Sequence, residues 1–111
     1  MTSVSKPNIL VILTSHAADN QGRNTGWFLA EFAHAYNIFI PHFNVIAASP
    51  KGGVAPIATG SIALCPDEES QAFLREKEAV WSNTIMVEEL VGKTDQFVAC
   101  YLPGGYGREL L

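Results

Sequence analysis

Cysteine is scarce in this chain. Cys65 and Cys100 are the only two among 111 residues, too few for the disulfide framework of a small secreted domain. They are not spaced as a CxxC pair and no HExxH occurs, so neither a metal nor a cofactor is expected. Basic residues are few as well: seven Lys and Arg face eleven Asp and Glu, and the formal net charge is -4. The seven are scattered, whereas a phosphate backbone demands a concentrated basic stripe, which excludes nucleic acid as an expected partner. No apolar run is long enough to span a membrane, and the polar start Met1–Pro7 is not followed by the apolar stretch of a signal peptide. A cytoplasmic protein with no membrane partner is the expectation. The recognised phosphate loops and the G-x-S-x-G elbow are also missing, and no complete nucleophilic triad can be assembled from these residues.

What is present argues for a folded core, since hydrophobic residues make up 48% of the chain. Ile9 to Leu13 is a continuous aliphatic run, the pattern of a strand covered on both faces in a parallel sheet. A polar stretch, Ser15 to Gly26, follows as a loop. Phe28, Phe32, Ala35, Tyr36 and Phe39 then share one broad helical face, predicting a helix over about 26–39 that Pro41 ends. Phe43 to Ala48 reads as a second strand, giving a βαβ unit. Val54 to Pro66, broken by Pro56 and Gly60, reads as irregular and extended. Asp67 to Val80 reads as a helix capped by Asp67, Val87 to Val91 as a short helical turn, and Phe97 to Leu102 as a third strong strand. Cys100, inside that apolar run, is expected to be a buried core thiol, and Cys65, beside Pro66, the more exposed of the two.

Three features could carry chemistry. Glu31 falls among apolar neighbours at the margin of the helix's buried face, where a carboxylate holds its proton more tightly; the alternative is a solvated side chain paired with His34. Pro103-Gly104-Gly105-Tyr106-Gly107 follows a buried strand. Adjacent glycines there let backbone N–H groups approach a ligand and face developing negative charge, although a turn chosen for conformation alone has the same composition. His16 stands at the carboxyl end of the first strand, where open α/β sheets place ligands. For His34 and His42 a structural role is expected.

Ile9–Ser15, Thr25–Tyr36, Ala48-Ser49-Pro50-Lys51-Gly52-Gly53 and Pro103–Gly107 together resemble the ThiJ/PfpI superfamily. Within it they are most similar to the branch of glutathione-independent glyoxalases and related heat-shock chaperones. The resemblance spans essentially the whole chain. It implies a flavodoxin-like parallel sheet with helices on both faces, here stopping after the third main strand, so that residues 1–111 form the N-terminal portion of a single domain. By position, Glu31 corresponds to the family's acidic residue beside the nucleophilic cysteine. Gly104 and Gly105 correspond to the loop whose amides help form the oxyanion hole. Tyr106 stands where the family often has His, and Ala35 where it often has Pro.

The family's Cys-His elbow comes after that loop, where this sequence has only Arg108-Glu109-Leu110-Leu111. The resemblance therefore implies a parent enzyme acting on a small 2-oxoaldehyde, methylglyoxal, to give lactate, with this chain lacking the reaction centre. A chaperone or interaction module, and an amidotransferase or peptidase relative, are the other functions it allows. A sheet with an open face and edge is expected to be marginally stable or to form an oligomer such as a homodimer.

Overall fold

The computed structural model describes residues 6–18 and 25–103. The aliphatic run forms β1 (Asn8–Ile12), and the aromatic-rich segment after it forms α1 (Leu29–Phe39). There follow β2 (Asn44–Ser49), α2 (Thr59–Leu64), α3 (Glu68–Glu76), α4 (Glu78–Ser82), β3 (Ile85–Met86) and β4 (Ala99–Tyr101), with 3-10 turns at Val87–Leu90 and Thr94–Gln96. All strand pairs are parallel and the sheet order is β3-β2-β1-β4. This is the expected α/β fold, consistent with a flavodoxin-like arrangement. No helix among the described residues is long and apolar enough to cross a membrane.

Register explains which side of the sheet is packed. Val11 stands opposite Ala47 and Tyr101, and these residues share a face with Ile9. That face meets α1, and both Ile9 and Val11 are buried. The core beyond it is aromatic. Trp27 lies against Phe32 (5.5 Å between ring centroids), Trp81 (5.9 Å) and Phe73 (6.2 Å), and Phe32 lies against Phe73 at 5.1 Å. All but the tilted Trp27–Trp81 pair are edge-to-face, a geometry that adds roughly 0.5–1.5 kcal/mol per pair beyond area burial. The indole N–H of Trp27 donates to Ala55 O at 3.0 Å, so its burial leaves no polar group wanting.

On the opposite face, Leu10 stands beside Ile46 and Cys100. Leu10 and Ile46 are only half-buried and Cys100 is exposed. The two cysteine expectations are therefore both corrected. Cys100 belongs to the sheet face that α1 does not cover, whereas Cys65 ends α2 inside the core cluster, 4% exposed.

Local structure departs from the sequence reading at identifiable points. Helix α1 begins at Leu29 because Phe28 is extended (φ -89°, ψ 127°), and its buried face is Leu29, Phe32 and Ala33 rather than one starting at Phe28. The segment expected to be extended contains α2. Its first half, Thr59-Gly60-Ser61, is poor in helix formers, and tertiary bonds hold it: Gln71 Nε2 donates to Ile62 O (3.2 Å) and Cys65 O (2.9 Å), satisfying carbonyls that a helix end leaves open. Asp67 caps α3 as expected, accepting from the Ser70 N–H at 3.0 Å, but Lys77 (φ -118°, ψ 28°) divides the predicted long helix into α3 and α4. The two-residue strand β3 was not foreseen.

Candidate functional site

The strand order locates the site. The chain runs from β1 outward through β2 to β3, then returns to place β4 on the other side of β1. The reversal falls between β1 and β4, and the crevice beyond the carboxyl ends of two such strands is where open α/β sheets bind ligands. His16 follows β1, and Gly104 and Gly105 follow β4. Gly104, Gly105 and Tyr106 themselves lie outside the described residues.

The exit of β1 is held by its own polar groups. Thr14 Oγ1 accepts from the His16 N–H (3.0 Å), Thr25 Oγ1 donates to His16 O (3.1 Å), and Thr25 N–H donates to Ala17 O (2.9 Å). Ser15 Oγ accepts from the Lys51 N–H at 2.9 Å, tying this exit to the turn after β2. His16 is fixed through its backbone and its side chain is exposed.

The N-terminal end of α1 is positioned by an unusual approach. Gly26 adopts φ +133°, and a β-carbon there would lie 2.5 Å from Pro56 O and 2.6 Å from Ala58 N. Only glycine lets the chain pass so close to residues 56–58. Trp27 N–H then donates to Pro56 O (3.1 Å) and Ala58 N–H donates to Trp27 O (2.9 Å). Phe28 has no side chain able to cap the helix, so the cap comes from α2. The fully buried Ser61 hydroxyl accepts from the Leu29 N–H (3.0 Å) and donates to Ala58 O (2.6 Å).

Glu31 sits in the first turn of the helix so placed, where the positive end of the macrodipole favours a carboxylate. It is exposed rather than at a buried margin. His34, the neighbour with which a solvated Glu31 could have paired, bonds instead to Asp67 Oδ2 on α3's cap, at 2.8 Å. The backbone of Glu31 is engaged from the sheet beneath α1: Tyr101 Oη, at the end of β4, donates to Glu31 O at 2.8 Å. Burial pushes the Tyr101 phenol above its ordinary pKa, and the Glu31 carboxylate adds to the rise. The structure thus joins the turn bearing Glu31 to the strand that leads into the glycine loop. Tyr101 was not singled out in the sequence, because only strand pairing brings it to α1.

Elsewhere, one ligand atom each from His34, Asp67 and Glu69 lie within 4.8 Å of one another. All three side chains are exposed, and capping accounts for the contact: the His34 bond and the Ser70 N–H together hold the Asp67 carboxyl down at about 2.

No protein-family model matches this chain, and neither does any curated protein. Solved structures do. Rapid Encystment Protein 24 KDa of Francisella tularensis superposes with a TM-score of 0.78 over 91% of the chain at 28% identity. A second crystal structure, of a protein carrying a target code in place of a functional name, gives 0.71 over 92% at 31% identity. The chain spans 45% and 43% of the lengths of those two proteins.

Proposed function

We propose that these residues form the switch-point half of a longer ThiJ/PfpI-type domain, and that the whole is a glutathione-independent glyoxalase converting methylglyoxal to lactate. The observation that carries this reading is the adjacency of β1 and β4 at the reversal of strand order, with the Glu31 turn bonded to the end of β4. The greater length of the two similar proteins supports the reading of a longer domain, and bears on neither the family nor the reaction.

In this reading a cysteine thiolate adds to the aldehyde carbon of the 2-oxoaldehyde, giving a hemithioacetal. Glu31 is the acid/base group that moves its protons, and the Gly104 and Gly105 amides hold the oxygen as it gains charge. His16 lines the substrate side. Neither thiol of this chain suits the nucleophile, since Cys65 is buried in the core and Cys100 lies within β4, before the loop. Both being free thiols accords with a reducing, cytoplasmic setting.

The test is direct. The purified 111-residue chain is expected to show no methylglyoxal turnover. A longer protein that contains it is expected to produce lactate and to lose that activity in Glu31→Gln. Turnover by the chain alone, abolished by Glu31→Gln, would overturn the assignment.

The open sheet face favours a second reading, as a module that binds apolar segments of other chains. Cys100 is exposed there, and Val98 and Leu102, which flank β4, are 63% and 67% exposed. A monodisperse chain that suppresses client aggregation at substoichiometric levels supports this reading. Aggregation of the chain itself opposes it.

A further inference from the structure

The proposed site needs the Glu31 turn of α1 and the end of β4 held in fixed relation. Tyr101 is where they meet. Its register opposite Val11 puts the ring on the face that α1 covers, and Phe39 packs against it edge-to-face at 5.5 Å and 79°. With the ring held at its side, the hydroxyl reaches Glu31 O at 2.8 Å, across 70 residues of sequence. A helical carbonyl at this position already accepts from the amide four residues on. It has a second lone pair, which the phenol uses.

The geometry points to Tyr101 as a positioning residue for Glu31: its hydroxyl fastens the first turn of α1, which bears Glu31, to the end of β4. This inference rests on the reading of the site given above. The start of α1 and the end of β4 are thereby tied by a hydrogen bond and a ring contact. Phenylalanine at this position keeps the ring contact and removes the bond.

Amide hydrogen exchange on the 111-residue chain, followed by NMR, reads the fastening. In Tyr101→Phe the amides that close the first turn, Ala33, His34 and Ala35, are expected to exchange roughly two- to tenfold faster, as loss of one net hydrogen bond implies. Ile38 and Phe39, at the far end of the helix, are expected to keep their protection. An unchanged first turn, or equal loss along the whole of α1, overturns the proposal; the latter would mean that Tyr101 serves stability alone.

The second readout is the Tyr101 phenol titration by ultraviolet absorbance, separated from Tyr36 and Tyr106 by difference against Tyr101→Phe. In Glu31→Gln it is expected to move to lower pH, because the carboxylate facing it is gone. An unmoved titration also overturns the proposal. Neither measurement uses turnover. If methylglyoxal activity fails while both readouts hold, the reaction assignment falls and the fastening stands; if both readouts fail in a chain whose longer form is active, the reverse is true.

Discussion

Replacing Gly26 by alanine drives a β-carbon into backbone that cannot turn aside. The new atom would lie 2.5 Å from Pro56 O, 2.6 Å from Ala58 N and 2.6 Å from Ile57 C, whereas ordinary contact begins at 3.4 Å. Relief therefore means opening the gap by about 0.9 Å, the difference between 3.4 and 2.5. That displacement would stretch the Trp27–Pro56 and Ala58–Trp27 hydrogen bonds, now 3.1 and 2.9 Å, out of bonding range. Two such bonds are worth roughly 0.5–1.5 kcal/mol each, and holding a non-glycine residue at φ +133° costs about 1–3 kcal/mol more. The total, roughly 2–6 kcal/mol, is a large part of the 5–15 kcal/mol that a domain typically has. Thermal unfolding by circular dichroism is expected to fall by at least roughly 10 °C. Gly60 supplies the control. It lies in α2 with nothing within 4 Å of its would-be β-carbon, so Gly60→Ala is expected to be neutral or to stabilise by up to ~1 kcal/mol. If Gly26→Ala melts within ~2 °C of the parent protein, the close approach at residues 56–58 does not exist in solution, and the placing of α1 derived from it falls.

Ser61→Ala strands the buried Leu29 N–H, while Ala58 O keeps its bond from the residue-61 N–H (2.9 Å), and is expected to lower stability by roughly 1–3 kcal/mol in urea unfolding, with an unchanged m-value. The Asp67 carboxyl is depressed from 3.8 to about 2, first by the His34 bond and then by the Ser70 N–H. Its contribution is complete above pH ~4 and is lost as pH falls toward 2, so Asp67→Asn is expected to flatten the acid limb of a melting-temperature profile between those values. Cys100 is expected to react with an aromatic disulfide reagent in the native chain while Cys65 waits for denaturant; equal rates would mean that the core around α2 is not formed. Thr84→Val removes the hydroxyl that donates to Gly53 O and accepts from Ser49 Oγ, each at 2.6 Å; a loss of roughly 1–3 kcal/mol in urea unfolding is expected.

Those parts of the fold written in local pattern were legible in advance. The aliphatic run of β1, the helical period of α1 and the Asp67 cap each depend on residues within a few positions of one another; β1 and the cap form where the pattern puts them, and α1 ends as expected but starts at Leu29 with a shifted buried face. Elements held by distant partners were not legible. Helix α2 carries a weak local signal and exists because Ser61 packs against Leu29 and Gln71 caps its last carbonyls. The strand β3, only two residues long, is defined by its pairing with Ala48 and Ser49. Burial of the thiols failed as an expectation for the same reason. Apolarity in sequence says that a residue suits a covered face, but the register of β4 decides which face Cys100 receives.

The candidate site divides along the same line. Its address was readable, because strand-loop-helix order alone places His16 and Glu31 at the carboxyl edge of the sheet. Its internal geometry was not. Glu31 sits among apolar neighbours in sequence, yet the buried face of α1 is Leu29, Phe32 and Ala33, which leaves the carboxylate on the exposed side. The bond that ties this carboxylate's turn to β4 among the described residues runs from Tyr101, a residue whose local context is simply that of an apolar strand. A sheet-edge site is thus specified twice over. Short-range pattern chooses which side chains reach the edge, and long-range pairing sets the distances between them, on which any chemistry at the edge depends.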